Sequence, residues 1–230
     1  MLDVKDLTHK YGDISSIKGI SFAMKQGESI CVAGANGSGK STLLQLIATS
    51  LKPLSGDILL HGCSIYSDLV ASRRKIGLVF QNPDDQLFMP AVWEDVAYGV
   101  LSKGMQISEA KDLALHALSK VNAEHLAERM PHRLSGGEKY RVAIATVLIL
   151  EPELLILDEP TASLDPKARK NIIKLLAELE CSKIIATHDL SMAKEICNRV
   201  IFLNHGQIAA DAANLLTDEH FLHSIGLELP

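Results

Sequence analysis

Eight consecutive residues, Gly34-Ala35-Asn36-Gly37-Ser38-Gly39-Lys40-Ser41, fit the pattern G-x-x-x-x-G-K-[ST]. Glycines at these positions let backbone N–H groups turn inward around an oxyanion, and a helix beginning at Lys40 adds the positive end of its dipole. Lys40 can then reach the β- and γ-phosphates of a nucleotide, Ser41 can hold Mg²⁺, and Thr42 extends the phosphate-facing turn. By chance a chain of this length matches the pattern about once in a hundred, so context decides. The loop follows the apolar run Ser29–Ala33 and precedes a helix-like stretch from Lys40 to about Thr49, which is the required setting.

A second candidate lies at Leu154-Leu155-Ile156-Leu157-Asp158-Glu159, an apolar strand ending in two carboxylates. Two acids at the end of a buried strand cost desolvation energy unless a cation waits there. Asp158 suits Mg²⁺, and Glu159 suits a general base for an attacking water. Taken alone, such an end also fits a strand emerging into solvent; beside a phosphate loop the cation reading takes precedence.

These residues require strands that deliver them to one edge. Ser29–Ala33, Asp57–Leu60, Ile76–Phe80, Leu154–Leu157 and Ile184–Thr187 read as strands, and Pro166–Leu179 and Leu190–Cys197 as helices. Strands alternating with helices predict an α/β fold with a mostly parallel sheet. Leu2–Ala23 and the stretch around Asp57 look antiparallel. From about Ala91 to Leu150 no strand is predicted; Ser108 is the candidate N-cap of a helix to Lys120 with Ala110, Leu113, Ala114, Ala117, Leu118 and Val121 on one face. The expected organisation is one domain, with residues 1–88 and 151–230 as core and β subdomain, and residues 89–150 as a helical insertion. Thr217–Pro230 is expected to be a short surface helix and tail.

Composition sets bounds. Of the 230 residues, 47% are hydrophobic and 22% charged, as in ordinary globular chains, and the net charge of −5 lacks the basic footprint of a dedicated nucleic-acid binder. The longest apolar run, Val142–Leu150, falls short of the roughly 18 residues that span a bilayer. The N-terminus has no signal-peptide pattern. Cys31, Cys63, Cys181 and Cys197 have no C-x-x-C spacing and are expected to be buried, reduced thiols of a cytosolic protein. His220 and His223 have the i, i+3 spacing of metal ligands but no third partner nearby in sequence.

At Leu134-Ser135-Gly136-Gly137-Glu138 the chain resembles the signature motif of ABC (ATP-binding cassette) ATPases, about 20 residues before the acidic strand. The resemblance extends over the whole chain, with motifs in family order. It implies a P-loop NTPase fold of the ABC type, with a RecA-like core, an antiparallel β subdomain and an inserted helical subdomain. It implies ATP hydrolysis with Mg²⁺ held by Ser41, Gln81 and Asp158, and a head-to-tail dimer with a second copy or a paralogue. There Ser135, Gly136, Gly137 and Glu138 of one subunit would cap the γ-phosphate on the other's phosphate loop. Tyr11 resembles the aromatic that stacks on adenine, Gln81 the Q-loop glutamine, Asp165 in Ser163-Leu164-Asp165 the D-loop aspartate, and His188 the switch histidine. Two residues depart from the pattern: Glu138 stands where the family usually has glutamine, and Tyr140 where it is often polar.

Gln81-Asn82-Pro83-Asp84-Asp85-Gln86-Leu87-Phe88, with Trp93–Gly99 after it, is similar to energy-coupling-factor (ECF) importer ATPases, including the cobalt and nickel type. That resemblance implies that Gln86 lies near the groove for a membrane protein's coupling helix. It implies a transmembrane coupling protein and a substrate-binding membrane protein as partners, and a peripheral position on the cytoplasmic face of the cell membrane. The alternatives are the ATPase of a conventional ABC transporter and a soluble ABC ATPase of DNA repair or translation.

Overall fold

A computed structural model describes residues 1–228; the last two residues of the expected tail, Leu229 and Pro230, lie outside the described residues. The chain opens with a hairpin, β1 (Leu2–Tyr11) and β2 (Ile14–Met24). Its alternation of apolar and polar residues puts Leu2, Val4, Leu7 and His9 inward. β3 (Ser29–Ala33) is buried along its whole length and runs through the phosphate loop into α1 (Lys40–Ile47). β4 (Ser55–Leu60), the two-residue β5 (Cys63–Ser64), α2 (Leu69–Lys75) and β6 (Ile76–Val79) follow. The chain is then helical, with α3 (Val92–Leu101), α4 (Ile107–Lys120) and α5 (Gly136–Leu148). It closes with β7 (Leu154–Asp158), α6 (Pro166–Glu178), β8 (Ser182–Thr187), α7 (Leu190–Ile196), β9 (Arg199–Asn204), β10 (Gln207–Asp211) and α8 (Glu219–Ser224).

The strands form two sheets. One is antiparallel, in the order β2-β1-β4-β5; the other has the order β10-β9-β3-β8-β7-β6 and is parallel except for β10. Adjacent parallel strands bring their C-terminal ends to one edge, where open α/β sheets bind ligands. The phosphate loop leaves β3, Glu159 leaves β7, His188 leaves β8, and Gln81 lies just past β6. β7 is apolar up to Asp158 and β8 is buried along its whole length, because both faces of the sheet are covered. α1 and one face of the parallel sheet share a core with the antiparallel sheet. α3, α4 and α5 pack with α6 over the other face.

Four expectations are corrected. Helix α4 starts at Ile107, and its first intrahelical bond runs from the Ala110 N–H to the Gln106 carbonyl, so Ser108 lies inside the first turn rather than capping it. Leu113 falls at the edge of the α4 apolar stripe and is exposed. Only Cys31 is a buried thiol: Cys63 sits exposed on the short edge strand β5, and Cys181 and Cys197 are half-buried. The C-terminal segment is docked rather than superficial. Leu222 on α8, with Ile225 and Leu227 beyond it, packs on Cys31, Ala33 and Phe202. Gly226 lies close enough that an added Cβ would sit 3.3 Å from that of Ala35.

Candidate functional site

The phosphate loop is wedged between β2 and the β9–β10 turn. Gly37 and Gly39 take φ of 78° and 106°, which L side chains resist. A Cβ on Gly34 would meet the Leu203 carbonyl oxygen at 2.4 Å, and one on Gly39 would meet that of Ser16 at 2.9 Å. The Gly206 N–H donates to the Ser38 carbonyl at 3.0 Å and braces the loop from outside. Helix α1 has Gly39 at its N-cap and no side-chain cap, so the N–H groups of its first turn remain for an anion. The Ser38 hydroxyl is buried without a partner, as expected of a group kept for a ligand.

Lys40 is almost fully buried and donates to the carbonyls of Gly34 (2.8 Å) and Ala35 (3.2 Å). Its Nζ lies 3.8 Å from Glu159 Oε1. Glu159, also buried, takes φ 46° and leaves the line of β7. Its Oε2 accepts from the Thr187 hydroxyl (3.1 Å) and the His188 N–H (3.4 Å), and its Oε1 is 3.0 Å from His188 Nδ1. Burial pushes the Asp158 carboxyl up, a hydrogen bond from Ser41 partly offsets this, and Asp158 Oδ1 is buried without a partner. A carboxylate held beside a hydroxyl with one oxygen unsatisfied fits a hard divalent cation. Lys40, Ser41, Gln81, Glu159 and His188 all line one cavity of about 330 Å³.

Tyr11 is not part of that cavity's wall. It is half-exposed at the end of β1, edge-on to His9 with centroids 4.7 Å apart, and its hydroxyl donates to Gln45 Oε1 at 3.4 Å. Ser135, Gly137, Glu138 and Asp165 surround a different cavity, of about 180 Å³, between the first turns of α5 and α6. The two cavities share no lining residue. Within one chain the structure therefore does not bring Ser135 to Lys40. Gly137 also has a packing reason, since a Cβ there would lie 2.8 Å from that of Ala168 on α6. Asp165 is the N-cap of α6, accepting from the Lys167 (2.9 Å) and Ala168 (3.0 Å) N–H groups. Tyr140 is buried with its hydroxyl unpartnered, under the field of Asp158 and Glu159. Among the described residues no group of three or more metal-binding side chains occurs, so His220 and His223 gain no third ligand.

Gln86 turns inward. Its Nε2 donates to the Ala143 carbonyl (2.9 Å) and the Thr146 hydroxyl (2.7 Å) on α5, while its Oε1 accepts the Phe80 N–H (3.2 Å). The outward groups beside it are Phe88 and Tyr98, both exposed and edge-to-face at 5.1 Å. Asp84 adds a 2.6 Å ion pair with Lys139 of α5.

The sequence reading missed Asp189, Arg169, Thr187 and Ser16. The Arg169 Nε and Nη2 grip the two oxygens of Asp189 at 2.7 and 2.9 Å, and Asp189 also caps α7 through the Met192 N–H. This ties the helix after Asp165 to the residue after His188. An aspartate just before an apolar helix was a legible cap signal. The Ser16–Thr42 hydroxyl contact at 2.8 Å joins residues with no local pattern in common.

A family model described as ABC transporter matches residues 17–162. The chain belongs to the ABC transporter ATPase family. Its activity is therefore ATP hydrolysis by a transporter's ATP-binding subunit. This ABC ATPase is 45% identical over its full length to an ABC transporter ATP-binding protein of Geobacter sulfurreducens, covering 94% of that protein. It is 40% identical over its full length to the energy-coupling factor transporter ATP-binding protein EcfA of Methanothermobacter thermautotrophicus, covering 77% of it. The structure of CbiO1 from Clostridium perfringens, described as part of the ABC transporter complex CbiONQ, superposes with a TM-score of 0.86 at 38% identity, covering all of this chain and 95% of that one. A dimeric ATP-binding cassette in a post-hydrolysis state bound to ADP and Pi superposes with a TM-score of 0.82 at 31% identity, covering 92% and 98% of the two chains.

Proposed function

We propose that this ABC ATPase is the motor of an ECF-type importer, peripheral on the cytoplasmic face of the membrane. Two copies, or one copy and a paralogue, would close head-to-tail over ATP. One observation carries the reading. The segment from Gln81 to Phe88 runs from the nucleotide cavity to the exposed Phe88–Tyr98 pair and is clipped to α5, the helix that begins at the signature, by Gln86 and Asp84. A membrane partner seated on Phe88 and Tyr98 would thus be joined by short polar contacts to both halves of the ATP site. No helix among the described residues is long and apolar enough to cross a membrane, which accords with a separate transmembrane coupling protein and substrate-binding protein. The energy-coupling name of one relative and the CbiONQ complex of a structural neighbour point the same way. The cargo, a metal such as cobalt or nickel or a vitamin, would be chosen by the membrane partner.

In this reading Lys40 and the N–H groups of α1 orient the phosphates, and Glu159 takes the proton of the attacking water. His188, 3.0 Å from Glu159, holds that carboxylate in place. Ser41, Asp158 and Gln81 would hold Mg²⁺, which neutralises charge on the phosphate oxygens. Ser135 and the N–H groups of α5 approach the γ-phosphate from the partner, because their own chain holds them in a separate cavity. Catalysis is then positioning plus electrostatic stabilisation from both subunits. The test is to purify tagged Glu159→Gln from native membranes in mild detergent. One small substrate-binding membrane protein with one coupling protein is the expected result. Two large transmembrane domains would make this a conventional transporter, and no membrane protein would overturn the importer reading.

A further inference from the structure

Glu138 is the residue at which the signature departs from its family, and the structure shows what its carboxylate does. A single oxygen, Oε2, accepts the Ser135 N–H at 2.8 Å and the Ser135 hydroxyl at 2.7 Å. The Glu138 N–H in turn points to Ser135 Oγ at 3.4 Å. These contacts form a capping box at the start of α5. A hydroxyl has one proton to give, and here that proton is committed to an anion. The Ser135 hydroxyl and then its N–H hold the Glu138 carboxyl below its ordinary range, with smaller help from Arg129 and Arg141. Arg141, Asp165 and Lys167 line the same cavity beside this carboxylate.

We propose that Glu138 is a built-in occupant of the signature's anion site: its carboxylate holds the Ser135 hydroxyl in the open protomer and must release it before a partner's γ-phosphate can be bound. The inference rests on the head-to-tail reading above. It makes Glu138 a positioning residue that sets how much ATP is needed to close the dimer. The Ser135 N–H can stay on Glu138 during closure, so the helix cap survives while the hydroxyl turns away. A glutamine would keep both contacts through its amide oxygen but without the charge, and hydrogen bonds to ionised groups are roughly twice as strong as neutral ones.

The experiment measures ATP-driven dimerisation by analytical ultracentrifugation, with hydrolysis blocked by Glu159→Gln. The four proteins carry that background alone, with Glu138→Gln, with Ser135→Ala, and with both. Glu138→Gln is expected to lower the ATP concentration for half-dimerisation by about three- to tenfold, at unchanged melting temperature. That gain is expected to disappear when Ser135 is alanine, since the cycle isolates the contact between the two. A residue that merely caps the helix would instead leave the ATP requirement unchanged in either background, since glutamine also completes the capping box. An unchanged or raised ATP requirement overturns the proposal, as does a gain that persists without Ser135. An equal change in the affinity of the separated protomer for a fluorescent ATP analogue also overturns it. If no variant dimerises at saturating ATP, the head-to-tail reading itself fails, an outcome distinct from a dimer that ignores Glu138.

Discussion

Lys40 and Glu159 are nearly dry and each is held by several partners at once, whereas Ser135 and Glu138 bond to each other at the surface and the half-buried Gln86 is held by neutral hydrogen bonds alone. The first region is over-determined. Taking away one member strands another charge in a low-dielectric site, which costs far more than a surface pair does. The second region is adjustable, because its contacts can be exchanged for those of a partner at small cost. In the proposed two-chain motor the rigid site would fix the phosphates, and the soft one would register whether the second chain and the membrane protein have arrived.

The largest expected effect tests the rigid side. Lys40→Ala removes the cation from the cavity and leaves Glu159 without it, so phosphate release should fall by at least about a thousandfold. Turnover within tenfold of the parent would erase the contrast between the two regions. Glu159→Gln comes next. It should slow phosphate release by about 10²- to 10⁴-fold while ATP still drives the protein to a dimer on size exclusion. A strictly monomeric variant at saturating ATP would show that the exposed signature face has no partner copy.

A smaller effect tests the soft side. Gln86→Ala cuts the clip to α5 and leaves the Phe80 N–H and the Ala143 carbonyl to find other partners. It should destabilise the fold by about 1–3 kcal/mol in urea unfolding. ATP turnover of the isolated chain should stay within a few-fold, while stimulation by the membrane partner is lost. If stability and stimulation are both unchanged, the clip transmits nothing.

The same contrast governs what could be read in advance. The strand–loop–helix at Gly34–Ser41 and the apolar strand at Leu154–Leu157 are local patterns, and the parallel sheet and helical insertion follow from their order. Legibility ended where a contact joins residues distant in sequence. Gln86 was singled out as a coupling residue, but its partners Ala143 and Thr146 lie on a helix that no local signal connects to it. Ser108 has the side chain of a cap, but α4 is set two residues earlier by the Gln106 carbonyl. The six residues of α8 carry too little pattern to show that Leu222 is buried, so the sequence alone points to a surface tail.

The smallest effect probes a brace between the two regions, Arg169 of α6 gripping Asp189 beside His188. Burial alone would push the Asp189 carboxyl up, but Arg169, the Met192 N–H and Ser191 outweigh it and hold it well below the usual carboxylate range. A group whose folded pKa is depressed contributes stability above its unfolded value, near 3.9. That contribution is lost as pH falls towards the folded value. Asparagine can still cap α7 through its amide oxygen, so Asp189→Asn breaks the Arg169 fork while keeping the cap. At pH 7 the variant should be less stable by about 1 kcal/mol, a figure kept small because the pair is partly screened by solvent. The gap should narrow as pH drops below about 4, where the carboxylate of the unfolded parent begins to take up its proton while the folded one stays ionised. A gap of constant size from pH 7 to pH 3 would mean that the stability comes from the shape of the fork and not its charge, and the brace would then belong with the soft contacts.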